Sequence, residues 1–151
     1  MCIRDRTFST CYGQPFIVLK PQRYASMLAE RMSHVNCKAW LVNTGWTGGK
    51  FGVGRRCPLK YTRAILDAIH DGSLVNAEYE TFAPGVFDFQ VPKSVANVPS
   101  ELLDPSKSWA DKAAFDAELK KLAGMFSEAF VKYEKDVRPE VLRAGPSSAR
   151  A

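Results

Sequence analysis

The chain has 151 residues, a formal net charge of +5 and 46% hydrophobic residues, a composition typical of one soluble globular domain. No apolar run reaches the ~18 residues that a membrane-spanning helix needs. The charged first residues, "MCIRDR", lack the apolar core of a secretory signal. We therefore expect a cytoplasmic protein with no membrane association, and the scattered basic residues do not form the stripe expected of a dedicated nucleic-acid binder.

The first predicted elements lie between Phe16 and Val35. The apolar run from Phe16 to Leu19 predicts a short strand or a buried linker. Pro21 suits the first turn of a helix, because an N–H at that position would have no helical partner. Apolar residues then recur at helical spacing, so the sequence predicts an amphipathic helix from Pro21 to about Val35.

A strand, a loop and a second helix are predicted next. Lys38 to Asn43 is rich in β-forming residues and reads as a buried strand. Five glycines between Thr44 and Arg56 predict a loop. The helical period returns at Leu59 and ends at Asp71-Gly72, where glycine can take the left-handed conformation of a helix C-terminus.

The second half of the chain is predicted to contain one further strand and one long helix. The alternation in "VFDFQVP" predicts a strand over Val86 to Val91, and "ELLDPSKSW" reads as a surface connection. Ser108 is the predicted N-cap of an amphipathic helix that runs to about Lys135. Arg138 to Leu142 predicts a short turn.

These elements predict a mixed α/β (α+β) fold. The sequence shows one strong strand surrounded by helices, whereas a complete sheet in such a domain normally has three or more strands. The sequence therefore points to a piece of a larger domain.

The sequence offers no constellation for catalysis or metal binding. Its cysteines are too far apart for the paired ligands of a structural zinc site, and His34 and His70 stand alone. We read all the thiols as reduced. No Ser/His/Asp set, paired carboxylate or Cys/His dyad is visible. The cysteines are Cys2, Cys11, Cys37 and Cys57.

The glycine-rich loop is not a P-loop, but basic residues follow it. Gly45 is one residue too close to Gly49-Lys50, and Phe51 replaces the hydroxyl that would hold magnesium. Arg55 and Arg56 precede a helix, and a guanidinium can stack on adenine or bind phosphate. Thr62, in the first turns of that helix, could meet a base or ribose. The alternative is a solvated basic face without a ligand.

Four stretches carry a resemblance to a known family. "TFSTCYGQPF", "LVNTGWTGGKFGVGRR", "KYTRAILDAIHDGSL" and "AEYETFAPGVFDFQVP" resemble, in the same order, the ATP-dependent phosphoenolpyruvate carboxykinases. The likeness implies that residues 7–145 are the C-terminal portion of that family's nucleotide-binding domain. Residues 1–6 match nothing in the family and are predicted to be a non-native junction, and residues 146–151 a disordered tail.

The resemblance implies a reaction and a site. Members of the family convert oxaloacetate and ATP to phosphoenolpyruvate, CO2 and ADP in gluconeogenesis, with magnesium and manganese. The family's phosphate loop, metal ligands and oxaloacetate site have no match in this sequence, so the chain alone is expected to be inactive. The family's adenine motif matches Gly54 to Thr62, which implies that Arg56 and Cys57 contact the base and Thr62 is the hydroxyl partner. The likeness does not fix the oligomeric state.

Two other functions stay open from the sequence. One is a stand-alone basic module that binds nucleotides or RNA through Lys50 to Arg63, without catalysis. The other is a structural piece that binds no ligand, whose glycine-rich loop is only a turn.

Overall fold

The structure is a computed structural model that describes residues 16–50 and 52–146. These residues fall into two compact units, one of residues 16–39 and 128–144 and the other of residues 40–127 and 145–146. The predicted junction at residues 1–6 and the predicted tail beyond residue 146 lie outside the described residues. Within that range, no helix has the length and apolar character to cross a membrane.

Helices and short strands alternate along the chain, which confirms the mixed α/β class. The α-helices are α1 (Pro21–Val35), α2 (Leu59–His70), α3 (Ser100–Leu103), α4 (Pro105–Ser108), α5 (Lys112–Phe130) and α6 (Pro139–Arg143). The strands are β1 (Trp46–Thr47), β2 (Arg55–Arg56), β3 (Tyr79–Phe82) and β4 (Phe89–Pro92). Among the described residues, 3₁₀ helices cover Ser73–Asn76 and Val131–Asp136.

The first unit contains helix α1, whose predicted bounds are confirmed. Pro21 occupies its first turn, and Asn36 ends it with a left-handed backbone, at φ 48° and ψ 40°. The strand or buried linker predicted just before it is wrong. Phe16 is 87% exposed and Val18 90% exposed, and no strand of the described chain lies beside this segment.

The core of the second unit lies beneath helix α2. Ala68 of α2, Leu74 of the following 3₁₀ helix and Val95 are buried together. Helix α2 ends where the sequence predicts, with Gly72 at φ +80°. Tyr79 closes this core from β3, because its hydroxyl donates to the Leu74 carbonyl at 2.6 Å.

The buried strand predicted at Lys38 to Asn43 is wrong. The segment forms no strand in the described chain, and Leu41 is 88% exposed. A β-rich sequence needs a neighbouring strand to satisfy its backbone, and the described residues supply none here. Trp40 packs against the core, and its indole nitrogen lies 3.4 Å from the Tyr79 hydroxyl.

Two antiparallel pairs of strands form separate small sheets, β1 with β2 and β3 with β4. The strand predicted over Val86 to Val91 is displaced, because β4 begins at Phe89 and Val86 belongs to a turn. The Ala83 carbonyl accepts from the Val86 amide at 3.0 Å, and the Asp88 carboxylate accepts from the Gly85 amide at 2.7 Å. These bonds make residues 83–88 a turn.

The segment before the long helix corrects two predictions. The expected surface connection contains the short helices α3 and α4, and the Asp104 carboxylate caps α4 by accepting from the Ser106 amide at 2.9 Å. Helix α5 is capped by Asp111 rather than by Ser108, because the Asp111 carboxylate accepts from the Ala114 amide at 3.0 Å. It ends at Phe130, and the 3₁₀ helix continues to Asp136.

Candidate functional site

The glycine-rich segment is a β-hairpin, so the loop predicted over Thr44 to Arg56 is only partly correct. Trp46 lies opposite Arg56, and Thr47 lies opposite Arg55. The ladder continues one step further, where the Cys57 amide donates to the Gly45 carbonyl at 3.0 Å. The antiparallel pairing therefore fixes which residue of β1 lies opposite each of the two arginines of β2.

Two of the glycines are required because the strands approach each other closely. A Cβ atom on Gly54 would lie 2.7 Å from the Thr47 carbonyl oxygen, and one on Gly49 would lie 2.9 Å from the Gly54 nitrogen. Neither contact is compatible with a side chain. The position of Arg55 and Arg56 thus depends on direct backbone packing across the hairpin.

The second unit anchors the hairpin at two points. The Gly48 amide donates to the Ser108 hydroxyl of α4 at 3.2 Å. The Lys50 ammonium lies 3.2 Å from the Glu118 carboxylate of α5. Both contacts span more than 55 residues of sequence, so they fix the hairpin against distant helices.

The hairpin has two chemically different faces. Successive residues of a strand point to opposite sides, so Trp46 and Arg56 share one face and Thr47 and Arg55 share the other. The Thr47 and Arg55 face lines a groove of about 350 Å³ against α3 and α4, to which Lys107 also contributes. The face of Trp46 and Arg56 does not line this groove.

The predicted base-contacting residues lie where the hairpin leads into helix α2. Arg56 is exposed at the end of β2, and Cys57 follows it, half-buried. The Cys57 amide is already engaged by Gly45, which leaves its carbonyl as the backbone group able to meet a ligand. The structure thus keeps Arg56 and Cys57 together at one edge.

Thr62 stands apart from that pair in its local contacts. It is the fourth residue of α2 and is half-buried. Helical spacing puts it on the same stripe as Ile65 and Ile69, which pack against the core. Within the described residues, no hydrogen bond joins Thr62 to Arg56 or Cys57.

The hairpin and the start of α2 carry positive charge that the described residues do not neutralise. Arg55, Arg56, Lys60 and Arg63 are all exposed, and none has a carboxylate of the described chain within salt-bridge distance. The Lys60 ammonium lies 4.7 Å from the centre of the Tyr61 ring. Such a surface attracts anionic ligands.

Lys107, across the groove from Arg55, is different because its charge is paired. Its ammonium lies 2.5 Å from the Glu80 carboxylate of β3 and 3.5 Å from that of Asp104. The hydrogen bond to Glu80 is the main cause that raises the pKa of Lys107 above its ordinary value. The groove face is thus partly neutralised.

The described residues hold no cluster suited to a metal ion. No group of three or more histidine, cysteine, aspartate or glutamate side chains comes together within residues 16–50 and 52–146. Cys37 and Cys57 are free thiols, whereas Cys2 and Cys11 lie outside the described residues.

Sequence reasoning did not single out Trp46 as a site residue. The structure pairs it directly with Arg56, and it is 44% exposed. The signal lay in the sequence as "WT" and "RR" on either side of a glycine-rich turn, a pattern that a hairpin with short arms produces.

The family of this chain follows from comparison with known proteins. A family profile described as phosphoenolpyruvate carboxykinase matches residues 3–101, a range that includes the hairpin and helix α2. The chain belongs to the phosphoenolpyruvate carboxykinase family.

Relatives named phosphoenolpyruvate carboxykinase (ATP) match almost the whole chain. The Neurospora crassa protein is 57% identical over 93% of this chain and 23% of its own length. The Saccharomyces cerevisiae protein is 51% identical over 94% of this chain and 26% of its own length. The Rhodopseudomonas palustris protein (strain TIE-1) is 52% identical over 92% and 26%. The chain therefore spans about a quarter of the length of these relatives.

Proposed function

We propose that this chain supplies the adenine side of the ATP site in an ATP-dependent phosphoenolpyruvate carboxykinase, which converts oxaloacetate and ATP to phosphoenolpyruvate, CO2 and ADP. Support comes from relatives of that name at more than half identity. Within the described residues no group of three or more histidine, cysteine, aspartate or glutamate side chains comes together, and we assign none of them to the magnesium and manganese of that reaction.

The observation that carries the proposal is the exposed Arg56 at the end of a rigid hairpin. The backbone contact of Gly54 with Thr47 and the tether from Gly48 to Ser108 hold this arginine in place. These contacts fix the backbone from which Arg56 projects, and its planar guanidinium can stack on a purine.

Cys57 and Thr62 complete the proposed base contacts in different ways. The Cys57 carbonyl accepts a hydrogen bond from the adenine amino group, since its amide is already committed to Gly45. The identity of the Cys57 side chain then matters little. The Thr62 hydroxyl, near the start of α2, is the proposed partner for the base or ribose.

These contacts bind ATP far from the phosphoryl group that reacts. Interactions of equal strength in the ground and transition states lower KM without raising kcat. Arg56, Cys57 and Thr62 should therefore govern KM for ATP. The chain alone should form no phosphoenolpyruvate, because phosphoryl transfer depends on charged groups and metals positioned around the phosphates.

The test uses a full-length hybrid, in which this chain replaces the matching segment of the Saccharomyces cerevisiae relative. Arg56→Ala should raise KM for ATP about tenfold, the ordinary size of a lost stacking contact, and leave kcat nearly unchanged. Arg55→Ala is the matched control, because Arg55 has the same charge on the other face of the hairpin.

Two results would contradict the proposal. Equal KM values for Arg56→Ala and the parent hybrid would remove Arg56 from the base site. Equal increases in Arg56→Ala and Arg55→Ala would point to general electrostatic attraction instead of a base contact.

A basic binding module is the second candidate, favoured by the unneutralised charges of Arg55, Arg56, Lys60 and Arg63. Binding of RNA to the chain would then fall steeply as salt rises, because each phosphate contact releases counterions. Mobility-shift titrations at about 50 and 200 mM salt would measure how steeply the RNA affinity falls. A protein that contacts several phosphates should lose affinity on the order of a thousandfold over that range. Absence of a shift at low salt would exclude this candidate.

A further inference from the structure

The hairpin register places an aromatic residue beside the proposed adenine contact. Trp46 lies directly opposite Arg56 in the antiparallel ladder, so their Cβ atoms are about 5 Å apart on the same face. Trp46 is 44% exposed and Arg56 is exposed. The exposed part of the indole therefore lies within reach of a ligand that contacts Arg56.

Both side chains offer flat surfaces that bind nucleobases by stacking. An indole stacks on any base through its π face, and a guanidinium adds stacking and cation–π attraction. The other face carries Thr47 and Arg55 and has no aromatic residue from the two strands. The hairpin thus has one face suited to a base and one that is not.

We propose that Trp46 and Arg56 together form one stacking surface for the adenine base, an inference that rests on the proposed function above. Trp46 is then a binding residue in its own right, and its contribution is to the base and not to the phosphates. The register of the hairpin places the two residues opposite each other on one face before ATP arrives.

The stacking surface affects how well the site distinguishes ATP from other nucleotides and from ligands that have no base. Every nucleobase has a π face, so stacking on Trp46 and Arg56 strengthens binding of any nucleotide but discriminates little among bases. Discrimination for adenine then falls to hydrogen bonds such as that of the Cys57 carbonyl. A ligand without a base, such as inorganic tripolyphosphate, has nothing that can stack on the Trp46 indole.

The test compares substitutions at Trp46 in the full-length hybrid. Trp46→Ala should raise KM for ATP about tenfold with kcat nearly unchanged, and the inhibition constant of tripolyphosphate should stay the same. Trp46→Phe should restore KM to within about threefold of the parent, whereas Trp46→Leu should resemble alanine, because leucine has bulk but no π face. Thr47→Ala, on the opposite face, is the control.

Three results would overturn the inference. An unchanged KM in Trp46→Ala, with a raised KM in Arg56→Ala, would leave the proposed function standing without Trp46, and unchanged values in both would remove the function as well. A tripolyphosphate constant that weakens as much as KM would indicate distortion of the hairpin. Equal rescue by leucine and phenylalanine would show that Trp46 acts by packing, and this pair decides the matter even if the alanine variant does not fold.

Discussion

Two neighbouring segments of this chain form the opposite of the secondary structure that their compositions predict. Residues 38–43 have the composition of a buried strand, yet they form none, and Leu41 is 88% exposed. Residues 46–56 are rich in glycine, yet they form the paired strands β1 and β2. The difference is the presence of a partner, because a strand is stable only when its backbone groups are satisfied across a ladder.

Glycine allows residues 46–56 to form a hairpin, because the backbones of its two arms lie very close together. At Gly49 and Gly54, the missing Cβ atoms allow contacts that a side chain would block. Residues 38–43 have side chains that suit a sheet, but no described strand lies beside them. Propensity therefore describes what a segment tolerates, and pairing decides what it forms.

The largest effect should come from Leu41→Ala, compared in two settings. In the chain alone the change should cost less than about 0.5 kcal/mol, because the side chain is exposed. In the full-length hybrid it should cost about 3 kcal/mol if a neighbouring strand covers Leu41. Denaturant unfolding of both proteins with and without the change measures the difference. Equal small costs would mean that this segment has no partner in the larger protein either.

Gly54→Ala should have the next largest effect. The added Cβ would lie 2.7 Å from the Thr47 carbonyl oxygen, and relief of such crowding costs about 2 kcal/mol. KM for ATP in the hybrid should also rise, because the two arms of the hairpin must separate and Arg56 shifts. Gly52→Ala is the matched comparison: its φ of +90° is unfavourable for alanine, but nothing lies within 4 Å of the new atom, so about 1 kcal/mol is expected. Equal costs for the two variants would contradict the close backbone approach.

Ser108→Ala should have a smaller effect. It removes the acceptor for the Gly48 amide and the local donor to the Pro105 carbonyl. Loss of the bond to Gly48 should cost about 1 kcal/mol of unfolding free energy, with a modest rise in KM for ATP. Ser33→Ala is the control, because the Ser33 hydroxyl donates only to the nearby Glu30 carbonyl within α1. A loss of stability without any change in KM would separate the tether from the nucleotide site.

Lys107→Met should have the smallest effect, and the effect should depend on pH. The bond to Glu80 raises the pKa of Lys107, so the folded protein holds this proton more tightly than the unfolded chain does. The stabilisation is present below the unfolded pKa and is lost as pH rises through the raised folded pKa. The difference in unfolding free energy between wild type and variant should therefore be present at pH 8 and shrink as the pH rises above 10.5, the ordinary lysine value. A constant difference over that range would rule out the charge as its source.

The helices were predictable because their end signals are local. Pro21 at the start of α1 and Gly72 after α2 act through the backbone of their own residues, so no knowledge of the tertiary fold is needed. The cap of α5 was misplaced from Asp111 to Ser108 because both residue types can cap a helix. The structure commits the Ser108 hydroxyl to Gly48 instead.

The sequence names candidate site residues, whose roles stay predictions, but it does not reveal how they are arranged. Arg56, Cys57 and Thr62 came from a motif with fixed spacing, which still does not test their roles. The pairing of Trp46 with Arg56 depends on a turn between two-residue strands, and the register of so short a hairpin is set by backbone contacts that sequence periodicity does not reveal. The strands predicted at residues 16–19 and 38–43 do not form because a β-rich sequence also needs a neighbouring strand, and the described residues place none beside them.

The architecture of the hairpin also determines which length changes the segment tolerates. An extra residue at the tip, between Lys50 and Val53, would enlarge the turn and leave the pairing of Trp46 with Arg56 intact. An extra residue between Gly54 and Arg56 would rotate the second arginine onto the groove side, because each step along a strand reverses the direction of the side chain. Homologues that differ in the length of this hairpin should therefore differ at its tip. The spacing that corresponds to Gly54 and Arg56 should stay constant among them.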